Sequence, residues 1–347
     1  MTAAQILASH RRQKHRRAWL VVALALAAFG AMLLDLCSGP AGLTLTQIRD
    51  ALLVGPETSA TNSIIVWQVR LPVAVLAVLV GALLSLAGTE MQTVLENPLA
   101  EPFTLGVSAS AALGAGVALV LGLSVPGLPG HWAVSANAFL FSLGALGLLH
   151  LISSLRGGGT ETVILLGIAI NFTAAALLAL VQFIASPDAL QQLVFWTMGS
   201  LASARWDGIA MLALVLAACL PFSLRAAWQM TALRLGSDRA EAFGLNVARL
   251  RRFALIRVSL LAGAAVSLVG VIGFVGLAGP HMARLAVGED HRLLLPASVF
   301  AGALLTSLAS VAAKMLVPGI LLPLGIVTSL VGLPIFFLLI LTRGGRR

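Results

Sequence analysis

The chain has 347 residues, of which 59% are hydrophobic and 10% charged, and its mean hydropathy is +1.01. A soluble domain carries about 25% charged residues, so the few charges here could not cover the surface of a soluble globule of this size. These values exclude a soluble enzyme and a disordered chain. We predict an all-α integral membrane protein, organised as one transmembrane domain over residues 1–347.

Apolar segments of about 20 residues, the length that crosses a bilayer, recur along the chain. They lie near residues 18–36, 71–94, 103–122, 132–153, 162–184, 206–224, 253–273, 293–316 and 323–342. A tenth segment, 276–287, is short and contains Gly276, Gly279 and Pro280. The connections 37–70 and 185–205 are long enough to carry short helices of their own.

The basic residues predict how these segments are oriented. They cluster in residues 1–17, in the loop 225–252 and in the tail 343–347. Ten crossings place all three clusters in the cytoplasm, whereas nine would place the tail outside, against the positive-inside rule. We therefore predict about ten transmembrane helices, one of them short, with both termini cytoplasmic and the first helix retained. On this reading the net charge of +9 orients the protein in lipid and implies no nucleic acid.

The sequence carries no recognisable energy source or catalytic set. Its two lysines, Lys14 and Lys314, lie outside any G-x-x-x-x-G-K-[ST] phosphate-binding loop. Cys37 and Cys219 are far apart, and the histidines are scattered over different connections. We predict no catalytic residue, no metal site and no cofactor bound by this chain.

A transporter without its own ATPase draws energy from an ion gradient or from a partner. Glu90 is the deepest acidic residue, but no partner for a proton relay is evident in the sequence. An ion-coupled secondary transporter is the alternative class, and a structural or signalling membrane subunit is a third. The loop 225–252 favours a partner, because it predicts a short amphipathic helix suited to a groove on a soluble protein. Ser237 or Asp238 can cap this helix, and Gly244 can end it in the left-handed conformation.

Several stretches carry a resemblance to a known family, in the same order along the chain. They are VWQVRLP at 66–72, NPLAEPFTLGV at 97–107, FWTMGSL at 195–201, GFVGLAGPH at 273–281, DHR at 290–292 and LPLGIVT at 322–328. Together they are similar to the FecCD-type (type II) permeases of ABC importers, the family of vitamin B12, ferric-siderophore and haem permeases.

The resemblance implies a subunit with ten helices in the bacterial cytoplasmic (inner) membrane. It implies a second permease subunit in a homodimer, two cytoplasmic ATP-binding subunits that use ATP and Mg, and a periplasmic substrate-binding protein. The expected cargo is an iron chelate, either a ferric siderophore or haem, and a corrinoid is the alternative within the family.

The resemblance also implies residue roles. The residues expected to couple to the ATPase are Gly236, Asp238, Ala240 and Gly244. Those expected in the translocation pathway and cytoplasmic gate are Asn97, Leu99, Thr160, Glu161 and Ile164. Arg70 and Lys314 are expected to dock the binding protein through their charges. Near them, Val73 and Leu321 depart from the residues that are usual in the family.

Overall fold

The computed structural model describes the backbone of residues 3–57, 60–155, 159–317 and 320–343. Within these ranges the side chains of residues 3–11, 104, 154–155, 160 and 335–343 are not described. The described part is helical throughout, with no β-strand in it. The all-α prediction is therefore confirmed for this part of the chain.

Fifteen α-helices follow one another in the described ranges. They are α1 Ala3–Cys37, α2 Leu45–Val54, α3 Thr61–Ile64, α4 Leu71–Val94, α5 Val107–Leu121, α6 Ala133–Leu155, α7 Thr160–Phe183, α8 Pro187–Thr197, α9 Trp206–Arg225, α10 Ala227–Leu233, α11 Ser237–Ala242, α12 Val247–Val269, α13 Val275–Val287, α14 His291–Met315 and α15 Leu324–Arg343. A π-helical stretch, Ile65–Arg70, joins α3 to α4, and short 3₁₀ turns precede α5 and α6.

Seven helical segments in the described residues are long and apolar enough to cross a membrane. They are Arg12–Cys37, Thr61–Val94, Gly130–Ser153, Glu161–Phe183, Trp206–Arg225, Val247–Val269 and His291–Met315. Val107–Leu121 and Leu324–Pro334 are shorter apolar helices, and α13 has 13 residues. The sequence thus predicted the positions of the apolar helices, while the count of ten crossings stays a prediction.

Local capping explains where two boundaries differ from those expected. Helix α12 begins at Val247 instead of near 253 because the Asn246 side chain accepts a hydrogen bond from the Arg249 amide, at 2.8 Å. It ends at Val269 because Gly270, with φ of 73°, leaves the helical conformation. Helix α1 begins at Ala3, so the basic stretch expected to precede the first helix is part of it.

Helix α4 is the central helix of the bundle. It packs against α1, α9, α12, α13 and α14, and residues 80–95 are all buried. Residues 71–84 of this helix are apolar on every side, as expected for a helix surrounded by other helices. The elements that carry polar residues at the ends of the bundle are therefore positioned relative to α4.

Two glycines of α4 allow neighbouring backbones to approach closely. A Cβ at Gly81 would collide with Gly302 and Thr306 of α14, and a Cβ at Gly88 would collide with the carbonyl group of Gly276 in α13. Small residues at such crossings let membrane helices pack backbone against backbone. The Thr306 hydroxyl also donates to the Ala77 carbonyl across the α4–α14 contact, at 2.7 Å.

The bundle has two chemically different ends. At one end, called here the basic end, the last turn of α4 meets α10, α11 and the starts of α12 and α14, and Arg17 of α1 lies next to Gly288. At the other, called here the outer end, Lys314 of α14 contacts Asp35 of α1 at 2.7 Å. Arg70 donates there to the carbonyls of Leu36 and Cys37, at 3.4 and 3.1 Å. The sequence predicts that the basic end is cytoplasmic.

A buried ion pair joins α4 to α12. Arg257 Nε lies 3.0 and 2.9 Å from the two carboxylate oxygens of Glu90, and its Nη2 lies 2.7 Å from Oε2. Both side chains are almost completely buried. The sequence analysis identified no partner for a proton relay at Glu90, and the structure shows an ion-pair partner 167 residues away, inside an apolar segment of another helix.

We expect Glu90→Ala to destabilise the protein strongly, since it leaves the Arg257 charge buried and unpaired. Breaking a buried pair in this way typically costs about 3–5 kcal/mol, whereas replacing both partners with apolar residues is often neutral. Thermal unfolding of the detergent-solubilised protein should show a large loss for Glu90→Ala and recovery in the double variant Glu90→Met/Arg257→Leu. Asp50→Ala, which removes a surface pair with Arg49, is the control and should change little. Equal unfolding temperatures for the single and double variants would contradict this account.

Candidate functional site

The segment that follows α9 at the basic end forms two short helices, α10 and α11, and glycines with positive φ stand directly before and shortly after α11. Gly236 has φ of 101° and Gly244 has φ of 80°. No atom lies within 4 Å of a Cβ built on either glycine. Both glycines are therefore required by the backbone conformation of the loop and not by close packing inside this chain.

The start of α11 differs from the capping prediction. Gly236 occupies the cap position, and no side chain caps the helix. The Ser237 hydroxyl donates instead to the carboxylate of Glu96, and Asp238 is exposed in the first turn, where its charge suits the positive end of the helix. The left-handed conformation predicted for Gly244 is confirmed.

The exposed face of α11 is not the one that small residues suggested. Ala240 is 0% exposed and packs into the core of this chain, so it cannot lie against a partner. Arg234 and Glu241 are exposed, and five further exposed residues have the spacing of one helical face. These five are Leu235, Asp238, Arg239, Ala242 and Phe243, and they are called the coupling surface below. Phe243 is 63% exposed, which is unusual for a phenyl group facing the aqueous side.

Glu96 ties α11 to the end of α4 and to α12. Its carboxylate accepts from the Ser237 hydroxyl and, at 2.8 Å, from Arg251 Nη2. Arg251 also donates to Ser237 Oγ at 2.8 Å and through Nε to the Val94 carbonyl at 3.0 Å. Glu96 has φ of 50°, a conformation that costs energy for a residue with a Cβ. These four residues form a closed polar junction, called the Glu96 junction below.

A second polar link holds the same segment to the turn between α13 and α14. Glu289 in that turn accepts from Arg234 at the end of α10, and from Arg284 Nε at 3.2 Å. The Glu96 junction therefore holds α11, and the contact of Arg234 with Glu289 holds the end of α10.

A buried histidine adds a third connection. His291, at the start of α14, is 0% exposed, and its Nε2 lies 2.7 Å from the Thr93 hydroxyl on α4. Its Nδ1 lies 3.3 Å from the Thr231 hydroxyl on α10, which also accepts from the His291 amide at 3.0 Å. The α10–α11 segment is therefore connected to α4 through hydrogen bonds at both ring nitrogens of one imidazole.

The loop 95–106, which continues directly from the Glu96 junction, contains two of the predicted gate residues. The Asn97 side chain accepts from the Leu99 amide at 3.0 Å, and the Asn97 amide donates to the Gln92 carbonyl at 3.1 Å. Leu99 projects outward and is largely exposed. Hydrogen bonds of Asn97 thus fix the backbone of the loop, while the apolar Leu99 side chain stays exposed.

Glu101 fixes the far end of this loop to α13. Its carboxylate accepts a hydrogen bond from the backbone N–H of Phe274, which lies in the left-handed conformation just before α13. Burial raises the pKa of the Glu101 carboxyl to about 7, although the hydrogen bond opposes the shift. The sequence analysis assigned no role to this residue, since only the fold brings residues 101 and 274 together.

The other predicted pathway residues lie on α7. Thr160 begins this helix, but its side chain lies outside the described residues. Glu161 is exposed in the first turn and Ile164 is half-buried. Further along, α7 presents large apolar side chains to the outside of the chain. They are Leu165, Ile168, Phe172, Leu177, Leu180 and Phe183.

At the outer end, Arg70 and Lys314 line the same cavity of about 330 Å³. Val73 and Leu321, which depart from the family pattern, line it as well. The expectation of two surface charges needs correction, because Arg70 is only 5% exposed and Lys314 is paired with Asp35. The cavity is therefore lined by two cations that are held by hydrogen bonds or an ion pair, and by apolar side chains.

Among the residues whose positions are described, no group of three or more His, Cys, Asp or Glu side chains could hold a metal ion. What the geometry provides is mechanical: an exposed surface at the basic end, polar connections to the central helix, and a loop with an outward apolar residue.

Comparison with known proteins agrees with this picture. A model of the FecCD transport family matches residues 24–342. The hemin transport system permease protein HmuU of Yersinia pestis is 36% identical over 317 residues, which cover 91% of this chain and 95% of that protein. The vitamin B12 import system permease protein BtuC of Klebsiella pneumoniae is 34% identical over 342 residues, which cover 97% and 98%.

A solved structure shares the fold. It is an inward-facing conformation of an ABC transporter assigned to the metal-chelate type, with a TM-score of 0.83 and 29% identity. The match covers 94% of this chain and 99% of that one. Since the family model spans nearly the whole chain and full-length relatives exceed 30% identity, the chain belongs to the FecCD transport family.

Proposed function

We propose that this protein is the membrane-spanning subunit of an ABC importer, working with a second permease subunit and with ATP-binding subunits at its basic end. The observation that carries the proposal is the set of polar links that joins the coupling surface to α4 and to the loop 95–106. An importer of this class needs such a connection, because ATP is hydrolysed outside the membrane while the cargo moves within it.

Force applied to the coupling surface would reach the pathway through the Glu96 junction. Ser237 and Arg251 bind the same carboxylate that ends α4, and Asn97 follows it directly. A charged junction with several hydrogen bonds resists local rearrangement. The α10–α11 segment, α4 and the loop 95–106, called the gate loop below, therefore move as one rigid body. Leu99 then opens or closes the inner end of the pathway.

The pathway itself lies between two permease subunits in this proposal. Helix α7 is strongly apolar, yet only 17% of the residues in its most apolar stretch are buried within one chain. We assign this face to the contact with the second subunit. Glu161 and Ile164 of α7 then line the pathway between the two subunits. A homodimer is the simplest arrangement that satisfies both copies of this face.

The proposed cargo is an iron chelate, either a ferric siderophore or haem. The support is the likeness to a hemin permease and to a structure of the metal-chelate type. A corrinoid is the second candidate, because permeases of vitamin B12 import systems match over almost the whole chain. Ion-coupled transport has no such support, and the pairing of Glu90 with Arg257 gives that carboxylate a structural role.

A periplasmic binding protein would deliver the cargo to the outer end. We propose that it inserts acidic side chains toward Arg70 and Lys314 in the outer cavity, because both cations line that cavity. With both termini cytoplasmic and the protein in the inner membrane, this end faces the periplasm.

We expect Phe243→Ala to separate the permease from its ATPase. The phenyl group is exposed and contributes little to the fold, but a large aromatic side chain at the centre of an interface commonly contributes 2 kcal/mol or more to binding. Co-purification of tagged permease with the ATPase should fall by about tenfold or more. The unfolding temperature of the permease alone should not change.

Two variants make this test specific. Ala248→Trp enlarges an exposed alanine on the first turn of α12, outside the coupling surface, and should keep the ATPase bound. Ala240→Trp overpacks a buried site and should lower the unfolding temperature of the permease itself. Normal ATPase binding by Phe243→Ala would remove α11 from the interface.

We expect Glu101→Gln to change how stability depends on pH. In the unfolded chain this carboxyl ionises near 4.5, whereas in the folded protein it does so near 7. Between these values the folded state holds a proton that the unfolded state has lost, so stability falls as pH rises through this window and then levels off. Glutamine keeps the acceptor for Phe274 N–H without titrating.

The measurement is the unfolding temperature of both proteins from pH 5 to pH 8. The unfolding temperature of Glu101→Gln should rise relative to that of the parent as pH increases. A tenfold difference in proton affinity between the folded and unfolded states corresponds to about 1.4 kcal/mol of stability. Glu57→Gln, at an exposed glutamate, is the matched control. A constant difference between Glu101→Gln and the parent over this range would disprove the titration of Glu101 near pH 7.

A further inference from the structure

A groove of about 800 Å³ lies at the basic end between α9 and α12. One wall consists of the last turns of α9 with Phe222 and Arg225. The other consists of the first turns of α12 with Arg249, Phe253 and Ile256. Gly244 of the coupling segment lines this groove, but none of the five residues of the coupling surface does.

The groove carries positive charge that nothing in the described chain neutralises. Arg225 and Arg249 stand at its mouth, and neither has a carboxylate partner among the residues that the structure describes. Their guanidinium carbons lie instead 5.4 and 5.7 Å from the ring centres of Phe222 and Phe253. Arg257 lines the inner part of the groove, but its charge is balanced by Glu90. The described residues that line the groove include no Asp or Glu.

Below the arginines the groove is apolar and open to its surroundings. Phe222 is 57% exposed and Phe253 is 48% exposed, and Ile256 continues the same surface one turn deeper. All three lie within segments long and apolar enough to cross the membrane, whereas Arg225 ends one segment and Arg249 lies in the first turn of the other. The charge thus stands at the predicted level of lipid headgroups, and the phenyl groups stand at the level of acyl chains.

We propose that this groove binds an anionic phospholipid of the cytoplasmic leaflet. The phosphate lies between Arg225 and Arg249, and one acyl chain lies along Phe222, Phe253 and Ile256. A basic pocket between transmembrane helices on the cytoplasmic side is suited to such headgroups, and arginine binds phosphate oxygens in pairs. The lipid therefore reaches Gly244 and Asn246, which line the same groove where the coupling segment joins α12.

Native mass spectrometry of the purified permease tests the proposal directly. The protein is titrated with dioleoyl phosphatidylglycerol, with dioleoyl phosphatidylcholine and with inorganic phosphate. We expect retention of phosphatidylglycerol over phosphatidylcholine, and a loss of about tenfold or more in that retention for Arg225→Gln/Arg249→Gln. Arg225→Lys/Arg249→Lys should keep most of it.

Arg252→Gln is the matched control, because Arg252 is an exposed arginine of the same helix that does not line the groove. Equal retention by the parent and the glutamine double variant would overturn the proposal. Competition by inorganic phosphate at equal concentration would show an ion site instead of a lipid site. Loss of ATPase co-purification with unchanged lipid retention would make the groove a protein interface and would also overturn it.

Discussion

Helix α4 lies so close to its neighbours that one added methyl group at Gly88 would collide with the Gly276 carbonyl of α13. The same holds at Gly81 against α14. Backbone contacts of this kind leave no room for α4 to slide relative to α13 and α14. The polar residues at the end of α4 are therefore held in fixed positions relative to α13 and α14, and the connections through Thr93 and Glu96 depend on them.

This constraint is the physical basis of the proposed coupling to an ATPase. Thr93 and Glu96 each bind a different part of the α10–α11 segment, and Asn97 starts the loop that carries Leu99. In the proposed mechanism, motion at the coupling surface is therefore shared by α4 and the loop instead of being absorbed between them. Glu96 keeps an unfavourable backbone conformation within this junction, which is common where structure serves a mechanism.

The sequence predicted much of the fold, because apolar length and the distribution of arginines locate helices and their ends. It also assigned coupling to residues 236–244 and a gate to the loop at 97–99, and both assignments stay predictions. It missed the pairing of Glu90 with Arg257 and the Glu96 junction, since these partners are separated by more than 140 residues. It misread Ala240 and Arg70, because residue type alone does not tell which side of a short helix or loop is buried.

The claim that the coupling surface and the gate loop move together can be measured by pulsed electron paramagnetic resonance. Spin labels are placed at Ala242 and Leu99, both exposed, after Cys37 and Cys219 are replaced, and distances are compared with and without an ATP analogue in the complete transporter. The account predicts a constant distance between residues 242 and 99 within one subunit, and a changed distance between the two copies of residue 99. A changed distance within the subunit, with the distance between copies constant, would contradict it.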